Sequence, residues 1–113
     1  IPSTRLQKQQ TKVPKSPGVK YRHYSPFAYV FIVSGVSETV PMERSAYIGL
    51  RSVGTNGFGM KKICRNEAEY ARSLFHFFRE CDAHDMETIY CEQVSEDGIG
   101  LALMDRIRKA AMQ

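Results

Sequence analysis

The hydrophobic residues of this chain fall into short runs that follow a polar first segment. Residues 1–15 are rich in Gln, Lys, Ser, Thr and Pro and show no apolar period, which is typical of a disordered or extended segment. Residues 27–33 form the longest uninterrupted apolar run, and most of them are β-branched or aromatic. Because both faces of this run are apolar, it predicts an interior strand that is covered on both sides.

Three further apolar segments, at residues 46–50, 60–64 and 88–91, have the length and composition of strands. Residues 37–45 predict no more than one helical turn, because Pro41 disfavours a longer helix there. The first half of the chain is therefore expected to consist mainly of strands and short connections.

Two amphipathic segments predict helices. Asn66, followed three residues later by Glu69, has the spacing of a capping box at the start of a helix. The apolar positions that follow recur at helical spacing and predict the buried face: Ala71, Leu74, Phe75, Phe78 and Cys81. A second helix is predicted over residues 98–111, with these inward positions: Leu103, Met104, Ile107 and Ala111.

The order of these elements predicts an α/β domain, because strands alternate with helices late in the chain and the early strands are apolar on both faces. We expect a small parallel or mixed sheet of about four to five strands with flanking helices. The composition changes near residue 26. Residues 1–26 are therefore assigned to a basic extended linker or arm, and residues 27–113 to the folded domain.

The net charge of +4 is distributed unevenly along the chain. Residues 1–24 contain six basic residues and no acidic residue, whereas residues 25–113 contain ten basic and twelve acidic residues. A basic arm of this kind could contact tRNA or another RNA, or it could be a solvated linker. Because the chain opens on Ile1 rather than Met, we expect it to be a fragment or a processed product that is tethered to an upstream segment.

The sequence lacks the motifs of a metal site or a nucleophilic catalyst. Cys64, Cys81 and Cys91 are separated by 17 and 10 residues, which matches no zinc or CxxC pattern, and the three histidines lack metal-binding spacing. An odd number of cysteines without a secretory signal indicates reduced thiols and a cytoplasmic location. The longest apolar run has seven residues, whereas a membrane-spanning helix needs about 20. We therefore expect no catalytic residue, no metal and no membrane contact.

Two glycine-containing segments resemble phosphate-binding loops only in part. Residues 54–59 lack the GKS or GKT ending of a P-loop and are interpreted as a flexible loop. Gly98 and Gly100 lie at a strand-to-helix junction, where two acidic residues already complement the helix dipole. A local cap or a docking surface for a neighbouring domain is therefore favoured over a phosphate site. Arg106, farther along the same helix, completes this candidate docking surface.

The segment SPGVKYRHYSP (residues 16–26) has the composition of a recognition segment rather than of a core. Pro17 and Gly18 mark a turn, and Pro26 biases the residue before it toward an extended conformation. An extended backbone between them leaves the side chains free to contact a partner. The candidate contact residues are Ser16, Pro17, Gly18, Lys20, Tyr21, Arg22, His23, Tyr24 and Pro26. The alternative is an ordinary linker whose tyrosines pack on their own domain.

Three segments of the chain together resemble one protein family. SPGVKYRHYSP is similar to the interdomain linker of two-domain threonylcarbamoyl-AMP synthases, the Sua-five type. EYARSLFHFFRECDAHDMETIYCE (residues 69–92) resembles the central helix and following strand of their C-terminal domain, and EDGIGLALMDRIRKAA (residues 96–111) resembles its closing helix. The resemblance extends over residues 14–111. It departs from the family in one respect: the region after the first strand, where the family has its first crossover helix, is short in this chain.

The resemblance implies a Rossmann-like three-layer fold and an upstream YrdC-like catalytic domain that the chain does not contain. It also implies a parent enzyme that uses ATP and Mg²⁺ to combine L-threonine and bicarbonate into threonylcarbamoyl-adenylate, the donor for N6-threonylcarbamoyladenosine in tRNA. In that setting this chain supplies a linker and a lid, and it holds no cofactor of its own. The alternative is a stand-alone binding module with a basic arm that contacts RNA and no catalysis.

Overall fold

The computed structural model describes residues 25–52 and 54–112. These residues form four strands, two α-helices and one short 3-10 helix, and every strand and α-helix predicted above is present with ends shifted by at most two residues. In chain order they are β1 (Tyr29–Val33), the 3-10 helix (Val36–Glu38), β2 (Ser45–Gly49), β3 (Met60–Ile63), α1 (Glu67–Ala83), β4 (Thr88–Glu92) and α2 (Ile99–Ala111).

The four strands form one parallel sheet in the order β1-β4-β2-β3. Helix α1 carries the chain from the edge strand β3 back across β2, so that β4 inserts between β1 and β2. Ile89 of β4 lies beside Val30 of β1 on one side and beside Ala46 of β2 on the other. The α/β class and the parallel sheet with flanking helices are thereby confirmed.

The two helices pack side by side on the same face of the sheet. Leu74 and Phe78 of α1, together with Leu103 and Ile107 of α2, are buried in one core that also contains Ile89 of the sheet. The described residues therefore form two layers, where three were expected. The connection from β1 to β2 explains the difference, because it contains only a 3-10 turn and no helix that would cover the opposite face.

The prediction that the first strand is interior was wrong. Strand β1 lies at the edge of the sheet, and the side chains of Tyr29 and Phe31 are exposed on the face that carries no helix. The strand that is buried along its whole length is β2. An apolar pattern on both faces does not show whether both faces are buried within the same domain or whether one face stays exposed.

The start of α1 follows the predicted cap with one change. The side-chain oxygen of Asn66 accepts a hydrogen bond of 2.9 Å from the Glu69 backbone N–H. The Glu69 carboxylate accepts from the backbone N–H of Arg65, at 2.9 Å, one residue earlier than a capping box requires. The predicted inward positions of both helices are buried or partly buried. The helices also bury residues that the spacing did not predict: Tyr70, Phe77, Gly100 and Ala110.

Candidate functional site

The carboxyl ends of β1, β2 and β4 lie next to each other at one edge of the sheet because the three strands are parallel. In open α/β sheets this edge is where ligand-binding crevices form. Strand β4 ends at Glu92 and β2 ends at Gly49, and the loop after β2 begins with Leu50 and Arg51. Functional side chains of a parallel sheet are therefore expected at this edge.

The Glu92 carboxylate is buried, and protein groups satisfy both of its oxygens. Oε1 accepts hydrogen bonds from the Tyr47 hydroxyl at 3.1 Å and from the Leu50 backbone N–H at 2.9 Å. Oε2 lies 2.8 Å from Nε of Arg51, whose guanidinium carries the compensating positive charge. A buried carboxylate is stable only with such partners. Here the hydrogen-bond donors and the Arg51 guanidinium together compensate the negative charge of Glu92.

Two further contacts tie this group to the strand ends around it. The Nη2 group of Arg51 donates to the Ser34 carbonyl, just beyond β1, at 3.0 Å. A Cβ atom at Gly49 would overlap the Glu92 carboxylate, so only glycine leaves room for that side chain at the end of β2. We call Tyr47, Gly49, Arg51 and Glu92 the carboxyl-edge cluster.

Two phenols stay protonated here: that of Tyr47, which belongs to the cluster, and that of Tyr70, which lies beside it. Burial, followed by the negative charge of Glu92, raises the pKa of Tyr47 above its usual range. Burial also raises the pKa of Tyr70, whose hydroxyl donates to the Glu92 carbonyl at 2.7 Å and to the Ile48 carbonyl at 3.3 Å. Both phenols therefore act as hydrogen-bond donors, and the cluster braces three strands instead of offering a group for proton transfer.

The cysteines are unsuited to nucleophilic chemistry. Cys64, Cys81 and Cys91 are free and buried. Burial raises the pKa of all three thiols, that of Cys81 to about 12, so none is a thiolate near neutral pH. Within residues 25–52 and 54–112, no group of three or more His, Cys, Asp and Glu side chains is placed to hold a metal ion. In the same residues, no helix is long and apolar enough to cross a membrane.

The predicted linker contacts fall almost entirely outside the described part of the chain. Eight of the nine named residues lie between positions 16 and 24; Pro26 alone is described, and it is buried just before β1. Their contact with a substrate cleft or a second domain stays a prediction.

The predicted docking residues lie at the start of α2 and along it: Gly98 precedes the helix, and Gly100 and Arg106 belong to it. Gly98 has a φ of 55°, a left-handed conformation that favours glycine. A Cβ at Gly100 would overlap the Ser95 carbonyl, so the tight turn into α2 requires glycine here as well. The Arg106 guanidinium lies 6.0 Å from the centre of the Phe75 ring and links α2 to α1. The backbone conformation of Gly98 and the contacts of Gly100 and Arg106 each have a role within this domain, and docking by these residues stays a prediction.

The carboxyl-edge cluster was not found from the sequence. Glu92 directly follows an apolar strand and Arg51 follows another, but their separation of 41 positions in the sequence conceals their contact. The only available signal was a charged residue at the end of a buried strand, which in parallel sheets places it at the shared carboxyl edge.

Comparison with known proteins decides the family. Residues 2–112 match the family model described as threonylcarbamoyl-AMP synthase, C-terminal domain. The chain belongs to this family. The resemblance inferred from the linker, the central helix and the closing helix is thereby confirmed.

Threonylcarbamoyl-AMP synthases from an archaeon, a bacterium and a fungus are similar to this C-terminal domain. The protein of Pyrococcus abyssi is 36% identical over 108 residues, which cover 86% of this chain and 32% of that protein. The Bacillus subtilis protein is 30% identical over 115 residues, with 90% and 33% covered. The Schizosaccharomyces pombe protein is 30% identical over 121 residues, with 88% and 30% covered. The chain therefore spans about a third of the length of these relatives.

A solved structure supports the same assignment. The structure of P. abyssi Sua5 complexed with L-threonine matches this fold with a TM-score of 0.65 at 31% identity, and the match covers 94% of this chain and 34% of that one. This threonylcarbamoyl-AMP synthase C-terminal domain thus shares both sequence and fold with a protein that binds L-threonine.

Proposed function

We propose that this chain is the accessory domain and linker of a two-domain enzyme that makes threonylcarbamoyl-adenylate. The enzyme would condense ATP, bicarbonate and L-threonine with Mg²⁺ and release pyrophosphate, and the product would serve the N6-threonylcarbamoyladenosine modification of tRNA in the cytoplasm. The observation that carries the proposal is the family match over residues 2–112, together with relatives about three times as long as this chain.

The chemistry in this proposal belongs to an upstream YrdC-like domain. The three buried, protonated thiols and the buried carboxylate of Glu92, which Tyr47 and Arg51 occupy, are consistent with this division of labour. In this proposal the accessory domain acts on the reaction through position and access and takes no part in bond making.

The linker would act as a lid over the catalytic cleft. An acyl-adenylate is readily hydrolysed, so an active site that makes one benefits from excluding water and controlling release. Tyr21 and Tyr24 offer apolar rings with a hydroxyl, and Lys20 and Arg22 offer charges that suit phosphate. The proposed contact segment also includes the remaining candidate residues: Ser16, Pro17, Gly18, His23 and Pro26.

The proposal is tested by measuring pyrophosphate release with ATP, bicarbonate and threonine for this chain and for the full-length protein. We expect release by the full-length protein and none by this chain alone. Turnover by this chain alone, at about 1 per second or faster as in ordinary enzymes, would contradict the accessory role. Absence of turnover in the folded full-length protein, with tight binding of RNA instead, would favour an RNA-binding function of the basic arm.

A further inference from the structure

Three aromatic residues form an exposed stripe at the start of the folded domain. Phe27, Tyr29 and Phe31 alternate along the chain, and they are 80%, 61% and 50% exposed, respectively. Tyr29 and Phe31 lie on the face of β1 that points away from the helices, because neighbours on a strand alternate between faces and Val30 is in the core. We call these three residues the β1 aromatic stripe.

The stripe continues onto the sheet through ring contacts. The ring of Phe31 stacks on Tyr90 of β4 with centroids 6.0 Å apart, and Phe58 meets Tyr90 edge-on at 6.1 Å. Phe58 also packs on Tyr47 of β2 at 5.5 Å. An aromatic surface therefore runs from the exposed edge strand to the buried carboxyl-edge cluster, on the face that carries no helix.

This surface has the properties of an interface. Exposed apolar patches of this kind mark interaction sites, and proteins usually protect an edge strand with charges, above all Lys. Strand β1 has no charged residue, and its outer edge has no strand partner within the described residues. The interaction of Phe31 with Tyr90 holds the ring in place before any partner arrives, which lowers the entropy lost on docking.

The identity of the partner follows from where the rest of the protein lies. This chain matches a C-terminal domain and spans about a third of its relatives, so about two thirds of each relative precede the region that it matches. Those residues would be connected to the stripe through the linker, residues 1–26. A domain tethered at that point is present at a high effective concentration beside β1.

We propose that the β1 aromatic stripe is the surface on which the upstream catalytic domain docks in the full-length synthase. This inference rests on the proposed function and adds the contact surface to it. A partner that fits would present apolar side chains to Phe27 and Phe31, which are both exposed. Docking on this strand would fix the orientation of the accessory domain relative to the linker, which ends where the folded domain begins.

Photo-cross-linking of the full-length protein tests the docking surface. The photoreactive residue p-benzoylphenylalanine is placed at Phe31 in one variant and at Leu101 in another. Leu101 is a matched control because it is 53% exposed, lies on α2 and adjoins the candidate docking residue Gly100. Cross-linked peptides are identified by mass spectrometry, and adenylate synthesis is measured on the same preparations.

We expect position 31 to cross-link to the upstream domain. The yield should not change on dilution, because the partner is tethered. Position 101 should give no such product. The proposal is overturned if position 31 gives no product, or if its products contain a second copy of the protein or RNA. Products at position 101 alone would place docking at the start of α2 and would also overturn it. An active preparation without the expected product refutes the docking surface only, whereas an inactive, folded preparation refutes the proposed function.

Discussion

The hydroxyl of Tyr47 and the carboxylate of Glu92 lie 3.1 Å apart at the buried carboxyl edge of the sheet, joined by a hydrogen bond between neighbouring strands. Nε of Arg51 lies 2.8 Å from Oε2 of Glu92, and Nη2 of Arg51 donates to the Ser34 carbonyl at the end of β1. One carboxylate thus fixes the relative positions of three strands. The position that nucleotide-binding α/β proteins use for ligands is here occupied by a side chain of the domain itself.

Replacing Glu92 should destabilise the domain strongly. The substitution Glu92→Ala leaves the Tyr47 hydroxyl and the Leu50 N–H without their acceptor, and because each unsatisfied donor costs about 1–3 kcal/mol, we expect a loss of about 2–6 kcal/mol in the free energy of unfolding. Glu92→Gln keeps an acceptor oxygen and should cost about 1–2 kcal/mol. Urea denaturation of the three proteins measures the effect.

The control for this experiment is an exposed glutamate with a similar partner. Glu96 pairs with Arg108 at 3.1 Å, and both side chains are exposed. The substitution Glu96→Ala should cost no more than about 1 kcal/mol. Equal losses for Glu92→Ala and Glu96→Ala would show that the carboxyl-edge cluster does not brace the sheet.

The stability should depend on pH through Glu69. Hydrogen bonds from the backbone N–H and then the side chain of Arg65 lower the pKa of this carboxyl from 4.5 to about 2. A lowered folded-state pKa means that the stabilisation is complete above the unfolded-state pKa and is lost as pH falls from 4.5 towards 2. The difference in urea midpoint between the wild type and Glu69→Gln should therefore shrink across this interval. A difference that stays constant from pH 6 to pH 2.5 would show that the Glu69 pKa is not lowered.

The thiols should be inert in the folded protein. Because burial raises the pKa of Cys64, Cys81 and Cys91, labelling with Ellman's reagent at pH 8 should be slow and should be limited by unfolding. In denaturant all three thiols should react rapidly. Rapid reaction of one thiol in the native protein would identify a site of local opening.

The tyrosines of the linker should affect catalysis more than stability. If the linker covers the cleft of the full-length synthase, replacing Tyr21 and Tyr24 together with Ala should lower turnover or release free adenylate, with little change in melting temperature. A double variant at Lys8 and Lys12 of the same arm serves as the control. It should leave turnover, adenylate release and melting temperature unchanged. Normal kinetics with a large drop in melting temperature would assign the tyrosines to packing on their own domain.

The secondary structure could be predicted from the sequence because its signals are local. The apolar spacing of Leu74, Phe78 and Cys81 set the buried face of α1, and Asn66 capped its start as expected. The family could also be recognised from three motifs, since each is a continuous segment. Short-range periodicity and cap chemistry act within a few residues, so they are visible in the chain itself.

The tertiary structure alone decided which strand is interior and which residues meet. Phe27, Tyr29 and Phe31 belong to an apolar run that predicts a covered strand, yet they are exposed because the connection to β2 supplies no helix for that face. Arg51 and Glu92 look like unrelated surface charges in the sequence, and the exposed Arg51 pairs with the buried Glu92 carboxylate only because β4 inserts beside β2. Strand order and layer number depend on contacts distant in sequence, and no local pattern encodes them.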